Sequence, residues 1–347
     1  MANLISSQLD LYCWTGRWDE EPTSQQYTIQ KNNPDPNNTI RFEISELVQD
    51  YIDVVFNNNY SEGSIKTACW WRYDKTNTYS DLTYTTIHTG YGIGTKGYTY
   101  FQDGINSTNS LTKLISNQHI YLPEGQEINL PVYKGPGGAA NVVFYSKDSA
   151  GVEGQSHFDD SALYAEQPKG PEDANSLIKY ISITGTFTKI EITSASKTET
   201  IFVNYLDCSK YENYKIAFIN KFGAIQDLWF NKKRTDALNV KRDSFDTSTI
   251  YSSTTALNFN TYDATSIVQD VTSKKSLTLN TGYLKEEYNE TIRQLMQSEN
   301  VWIVENGNSY PVSIKDSSFN YKTHLNDKLV NYTVQFEYAF NSINSVR

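Results

Sequence analysis

The chain has 347 residues, with 30 lysines and arginines against 40 aspartates and glutamates, which gives a formal net charge of −10. It contains no block of basic residues, whereas proteins that bind nucleic acids need clustered cations to neutralise phosphates. No apolar run approaches the roughly 20 residues that span a bilayer. We therefore expect neither a nucleic-acid partner nor insertion into a membrane.

The cysteines and the first residues of the chain argue against further classes of protein. Cys13, Cys69 and Cys208 lie far apart in an odd number, which argues against a disulfide scaffold and against a zinc site. The start of the chain lacks the charged and apolar regions of a signal peptide. We expect synthesis in a cytoplasm, no metal and no cofactor.

Aromatic residues are the strongest compositional bias. The chain has 26 Tyr, 15 Phe and 6 Trp but only 2 Met. Tyrosine and threonine favour pleated, half-buried surfaces, and the abundant Asn, Ser and Gly favour turns. The composition predicts a mainly β protein, and the tyrosine excess also suits large protein interfaces.

We predict three parts, the first of which covers residues 1–117. Alternating apolar residues predict strands at 9–13 and 40–44, and the aromatic segments 69–73 and 98–101 predict two more. After residue 44 the apolar period changes to that of a helix, which Ser45 is suited to cap.

A glycine pattern in this part resembles a nucleotide-binding loop. Residues 92–97 read GIGTKG, a literal GxGxxG. A dinucleotide loop requires a buried strand before it and a helix directly after it, but here both flanks look like strands. We therefore predict a turn or bulge between two strands rather than a phosphate site.

The second part is predicted to cover residues 118–232, with several regular strands. Between residues 146 and 174 the sequence is polar, with scattered Gly, Pro and Asp, which predicts a long surface loop. Gly223 follows the apolar segment YKIAFIN (214–220) and is predicted to adopt a positive φ.

The third part is predicted to cover residues 233–347. An apolar stripe with helical spacing predicts an amphipathic helix at about 284–298, and Asn306-Gly307 predicts a β-hairpin. Uninterrupted alternation over 330–340 predicts a long strand with one buried face. The fold class is thus mainly β, with several sandwich- or barrel-like domains, a few short helices, and a C-terminal sheet that carries one amphipathic helix.

A search for catalytic patterns identifies none. The sequence has no HExxH, GxSxG or EF-hand pattern and no cysteine–histidine pair at useful spacing. A glycosidase needs two carboxylates at a defined separation, which sequence does not reveal. We predict that the protein is not an enzyme and assign no catalytic residue.

The tryptophans are the candidate binding residues. Trp14 lies near Trp18, and Trp70 adjoins Trp71; because successive strand residues face opposite sides, one of Trp70 and Trp71 should be core and the other outward. An outward tryptophan either contacts a protein partner or stacks on a sugar ring.

Several segments resemble virion proteins from the tail region of tailed bacteriophages, particularly phages that infect Bacteroidota. The segments are FEISELVQDYI (42–52), GYTYFQDG (97–104), NKFGAIQDLWF (220–230), SENVWIVENGNSYPVSIKDSSFNYK (298–322) and LVNYTVQFEYAF (329–340). The resemblance implies a β-rich structural subunit repeated around the tail axis, as in distal-tail or baseplate rings. It implies no catalytic residue.

The working hypothesis is a structural tail protein of the virion that binds itself, as a cyclic homo-oligomer, and neighbouring tail proteins. We expect its interface anchors among Trp229, Phe230 and the tryptophan pairs. A carbohydrate- or receptor-binding tail module that meets a host surface glycan is the main alternative. A capsid or neck protein and a glycan-cleaving enzyme are the others.

Overall fold

The computed structural model confirms a mainly β protein, with 54% strand and 11% helix. The described residues are 3–33, 39–80, 85–104, 113–134, 141–147, 151–158, 173–194, 197–206, 210–248, 250–252, 257–316, 320 and 329–343. Within these ranges the strands form three larger sheets, and two α-helices pack against them.

The first sheet contains four antiparallel strands: β1 (Leu4–Trp14), β2 (Tyr27–Asn32), β3 (Ala68–Tyr79) and β4 (Thr85–Thr95). Their order is β2-β1-β3-β4. Trp70 is 1% exposed, whereas its neighbour Trp71 lies on the other face and is partly exposed. The alternation predicted for this pair is therefore confirmed.

Two of the three glycines of the GxGxxG pattern, Gly92 and Gly94, lie in β4 rather than in a turn, and Gly97 follows the strand. Gly92 is paired with Trp71, and Gly90 with Tyr73. A Cβ on either glycine would lie 2.6 Å from the aromatic ring opposite it. The predicted turn is wrong because the glycines provide flat backbone on which these rings lie. The predicted strand at 98–101 is also absent, since a short 3₁₀ helix occupies Phe101–Asp103.

Helix α1 (Ser45–Tyr51) covers one face of the first sheet and buries Val48. The residues before it, 39–44, form no strand, contrary to the prediction. Ser45 does not cap the helix, because its backbone N and hydroxyl both donate to the Glu43 carboxylate. The hydrogen bond from the Ser45 side chain lowers the pKa of Glu43.

The second sheet holds five strands, with two further strands beside it. Its members are β5 (His119–Pro123), β7 (Asn141–Lys147), β8 (Glu153–Phe158), β10 (Lys189–Thr193) and β11 (Thr198–Leu206), and the separate pair is β6 (Glu127–Tyr133) with β9 (Ile178–Thr184). The sheet order is β5-β11-β10-β7-β8. The predicted loop at 146–174 is wrong for β8, an edge strand that pairs with β7; residues 159–172 lie outside the described ranges.

The third sheet is the largest and dominates the C-terminal part. It contains β12 (Tyr214–Ile219), β13 (Ile225–Phe230), β14 (Thr235–Asp246), β17 (Ser266–Asn280), β19 (Val301–Glu305), β20 (Asn308–Ile314) and β22 (Thr333–Tyr338), in the order β13-β12-β19-β20-β22-β17-β14. Because β12 pairs with β19, the predicted limit at residue 232 separates strands of one sheet. Gly223, between β12 and β13, has φ +79°, as predicted.

Two small strand pairs and the second helix complete the fold. The pairs are β15 (Ile250–Ser252) with β16 (Leu257–Phe259), and β18 (Leu284–Lys285) with β21 (Leu329–Val330). Helix α2 covers Asn289–Gln297, five residues later than the predicted start, because Leu284 pairs with Val330. Its predicted apolar stripe is confirmed, since Ile292 and Leu295 are fully buried.

The last predicted strand is divided in the structure. Residues 329–330 and 333–338 form separate strands, yet Val330, Tyr332, Val334, Phe336 and Tyr338 are all buried. The alternation thus predicted the buried face correctly from Val330 to Tyr338, but it missed the break and wrongly included Phe340, which follows the strand and is 42% exposed. The hairpin predicted at Asn306-Gly307 joins β19 to β20, with positive φ at both residues.

The core connects all three predicted parts. One buried cluster contains residues from each of them, among them Trp14, Trp70, Leu177, Ile225 and Trp302. The third sheet therefore shares this cluster with the first sheet and with β9, and it shares a second buried cluster with the second sheet. Whether the parts fold as separate domains stays a prediction.

Candidate assembly surface

A two-stranded arm extends from the edge of the third sheet. Strand β17 pairs with β22 only from Asn280 to Ser276, whereas it pairs with β14 out to Ser266. We define the arm as residues 238–246 with residues 266–275. Nine residues of β14 at ~3.4 Å each make it about 30 Å long. All twelve residues of β14 are exposed.

One face of the arm continues the core face of the sheet. Leu277 of β17 lies opposite Phe336 of β22, and both side chains are buried. Alternate residues of a strand share a face, so this face continues outward along both strands. There it carries Leu238, Val240 and Val268, which are 60%, 39% and 49% exposed. Arg242, Asp246 and Lys275 share this face, so the sheet presents core-type side chains among charged ones beyond the body that would cover them.

The other face of the arm carries one apolar pair among polar residues. Phe245 lies opposite Ile267 near the far end. A β-bulge next to them, between Asp243 and Ser244, adds a residue to β17. Bulges increase the local twist of a strand pair, so the end of the arm is turned relative to its base.

The charge of the arm is opposite in sign to that of the whole chain. It contains four cations and three anions, Lys241, Arg242, Lys274 and Lys275 against Asp243, Asp246 and Asp270. Its net charge is therefore +1 on a chain of −10, which leaves −11 for the remainder. Opposite charges favour contact between the arm of one copy and the body of another.

Strand β14 also ends the third sheet within the described residues. An edge strand presents backbone N–H and C=O groups that can pair with a strand of another chain. Soluble proteins commonly protect long edges with bulges and lysines. The arm has both, but it retains an apolar face, which is typical of a surface that a partner covers.

Arg234 holds the base of the arm to the sheet. Its guanidinium donates to Asp236 at 2.6 Å and to Glu305, and it lies 4.8 Å from the centre of the Tyr214 ring. Burial lowers the pKa of Arg234, but the hydrogen bonds to the two carboxylates outweigh it and raise the pKa overall. The charged side chain therefore fixes the direction in which β14 leaves the body.

Most of the aromatic residues predicted as interface anchors are core residues. Four of the six are at most 9% exposed: Trp14, Trp70, Trp229 and Phe230. Strand β13 is buried on both faces, because Phe230 packs against Phe336 while Trp229 faces the second sheet's cluster. A side chain that is already buried within its own subunit offers little area to a partner. These four predicted anchors are therefore corrected to core residues.

The remaining two predicted anchors, Trp71 and Trp18, are partly exposed. Trp71 stacks on Tyr73, with ring centres 6.0 Å apart and planes 6° from parallel. Trp18 packs 4.9 Å from Trp14 and 5.2 Å from Trp70. Their role at an interface stays a prediction.

The best-placed buried carboxylate is engaged in structural bonds. Asp227 accepts hydrogen bonds from the Tyr60 hydroxyl and from Asn129 Nδ2, and it lies 3.7 Å from Lys215 Nζ. Burial, and then the charge of Asp227, raise the pKa of Tyr60. The adjoining cavity has a volume of about 30 Å³, which is too small for a sugar ring. This site offers no room for glycan cleavage.

Comparison with known proteins identified no relative: no family model matches the chain, and neither a curated protein nor a solved structure matches it. Among the described helices, none is both long and apolar enough to cross a membrane. No group of three or more potential metal ligands occurs among the described residues.

Sequence reasoning missed the arm. The apolar residues of β14 and β17 alternate as in any strand with one buried face, and that pattern does not reveal where the covering layer ends. The available signal was length, because β17 has 15 residues whereas β22, its neighbour in the sheet, has six.

Proposed function

We propose that this protein is a structural subunit of a bacteriophage tail, in the tail tip, baseplate or a connector ring, and that it assembles through the arm. The arm of one copy lies against the body of the next. The role is mechanical and requires no catalysis.

The exposed core face of the arm carries this proposal. Burying a side chain such as Leu or Val contributes about 1.5–3 kcal/mol, and the arm exposes Leu238, Val240 and Val268 on one side. A second copy fits as the partner, because the cationic arm and the acidic remainder attract each other.

We favour a closed ring over a symmetric dimer because of the resemblance to tail proteins. A contact between an arm and a body joins two different surfaces, so it is heterologous unless two copies exchange arms reciprocally, which gives a two-fold dimer. Heterologous contacts form rings when the rotation closes and open filaments when it does not. A ring is the arrangement expected around the axis of a tail, and the tail-like segments 220–230 and 329–340 include β13 and β22 of the sheet that bears the arm.

A paired set of variants tests the proposal. Leu238→Asp combined with Val240→Asp places two charges on the apolar face of the arm, and Tyr283→Asp places one on a side chain that is 68% exposed outside the arm. We expect the wild type and Tyr283→Asp to form oligomers as concentration rises, measured by light scattering after size exclusion. The double variant should remain a folded monomer. Oligomers of the double variant equal to those of the wild type would refute the role of the arm.

A further inference from the structure

A cleft lies between the segment that follows β4 and the turn that follows α2. Its volume is about 360 Å³, within the range of small-ligand sites, roughly 300–1,000 Å³. One wall is residues 96–101, and the other is residues 297–300. It is far from the arm in sequence and belongs to different elements.

The wall at 96–101 is held in place by contacts to the body. The backbone N of Tyr98 donates to the Lys221 carbonyl at 2.8 Å, and the Tyr100 hydroxyl donates to Glu290 at 2.8 Å. The Arg293 guanidinium lies 3.7 Å from the centre of the Tyr100 ring. The cleft is therefore preformed, which lowers the entropy lost on binding.

The lining is mixed in polarity and nearly neutral in charge, and the rings of Tyr98, Tyr100 and Phe101 contribute apolar surface to it. Within the described residues, the side chains of Thr99, Gln297 and Asn300 make no hydrogen bond to protein, so their amide and hydroxyl groups are available to a ligand. Lys96 and Glu299 form an ion pair of 3.5 Å and cancel each other's charge. Ile219, the one aliphatic lining residue, is 4% exposed. The aromatic rings suit the C–H face of a ligand, whereas a phosphate would find no unpaired cation among the lining residues.

Phe101 stands at the rim of this cleft with its ring fully exposed. A large aromatic ring in water is unfavourable unless something covers it. Sugars combine a C–H face, which packs on an aromatic ring, with hydroxyls that bond to amides. We propose that the cleft binds a neutral saccharide, with one sugar ring on Phe101 and its hydroxyls bonded to Gln297, Asn300 and Thr99.

The site differs from the one that the sequence favoured for glycans. The tryptophans were the expected stacking residues, but Trp14 and Trp70 are buried. A peptide ligand is less suited to the cleft than a saccharide, since residues 98–100 form no strand edge with which a peptide could pair.

Calorimetric titration of the full chain tests the proposal. The probes are tri- and tetrasaccharides of glucose, mannose, galactose, xylose, rhamnose and N-acetylglucosamine, with tetragalacturonate as the anionic comparison. We expect at least one neutral probe to bind the wild type. Phe101→Ala should weaken that binding at least ten-fold, whereas Phe101→Trp should retain it.

Two controls separate this site from the assembly surface. Tyr283→Ala, which removes another exposed ring, should bind the saccharide as the wild type does. The Leu238→Asp, Val240→Asp variant should also bind normally, whether or not it assembles. The proposal is overturned if no neutral probe binds at millimolar concentration, if tetragalacturonate binds more tightly than every neutral probe, or if Phe101→Ala changes self-assembly and leaves saccharide binding intact.

Discussion

Phe245 of β14 lies directly opposite Ile267 of β17, and the two side chains are 46% and 42% exposed. Cross-strand apolar pairs of this kind stabilise sheets by about 0.2–1 kcal/mol. Both side chains nevertheless keep more than two fifths of their surface in contact with water, which is area that a partner would cover. The pair is therefore better explained as part of a contact surface near the end of the arm than as an internal support of the hairpin.

Phe245→Ala should weaken assembly while the subunit remains stable. Interface anchors typically contribute more than 1 kcal/mol, so we expect the concentration of half-assembly to rise about five- to ten-fold. Thr272→Ala, on the same face of the arm, leaves the charge of the arm unchanged; it is the control and should change that concentration by less than two-fold. Mass photometry over a dilution series measures both. Equal shifts in the two variants would show that the aromatic ring has no special role.

Gly92→Ala should destabilise the first sheet. Its new methyl group would lie 2.6 Å from the Trp71 ring, which is fixed by its stack on Tyr73. Overpacking of this type costs about 1–3 kcal/mol. At Gly154, also in a strand, the nearest atom to a new Cβ is 3.6 Å away, so Gly154→Ala should be near neutral. Urea unfolding of both variants compares them, and an unchanged midpoint for Gly92→Ala would contradict the packing described.

Arg234→Met should loosen the base of the arm and lower the free energy of unfolding. The change leaves Glu305, 24% exposed at its side chain, without its guanidinium partner. Loss of a partner for a partly buried charged group costs about 1–3 kcal/mol. Lys241→Met removes a 3.3 Å ion pair with Asp243 in which the Lys241 side chain is 76% exposed, and such pairs contribute about 0–1 kcal/mol. A loss for Arg234→Met no larger than that for Lys241→Met would refute the anchoring role.

His119 should make stability fall as the solution becomes acidic. Its Nε2 lies 3.0 Å from Glu287 Oε2, and its Nδ1 lies 3.2 Å from Asn204 Nδ2. Burial and the charge of Lys285 lower the pKa of His119, against the opposing effect of Glu287. The unfolded chain therefore binds the proton more tightly. The contribution of His119 is fully present above the unfolded pKa of about 6.5 and declines as the pH falls from there through the folded pKa.

The urea midpoint measured at pH 7.5 and pH 5 checks this. We expect the drop between the two values to be larger for the wild type than for His119→Gln, which has no ring to protonate. If both proteins lose the same stability, His119 is not the group responsible.

Local patterns predicted local structure well. The apolar spacing identified α2, Asn306-Gly307 identified the β19–β20 hairpin, and the alternation of Trp70 and Trp71 assigned one ring to the core. In each case the decisive contacts lie within a few residues or follow from the period of one strand. These elements require no knowledge of what packs across from them.

The failures share a different cause. The local sequence around Gly92 suggested a turn. The contact that explains this glycine is with the Trp71 ring, which lies on another strand. Phe230 was predicted to contact a partner. It is instead buried, because segments that are distant in the chain cover strand β13 on both sides. The exposed face of the arm was invisible because its sequence matches that of a buried strand. Contacts between segments that are distant in the chain decide these cases, and such contacts are not evident from a single sequence.

The most direct test of the assembly role is particle imaging of the purified chain by negative stain over a concentration series. We expect closed rings in which each arm lies on the body of the next subunit, with a single copy number. Strict monomers with free arms at every concentration would contradict it, as would rings whose subunits meet without the arm.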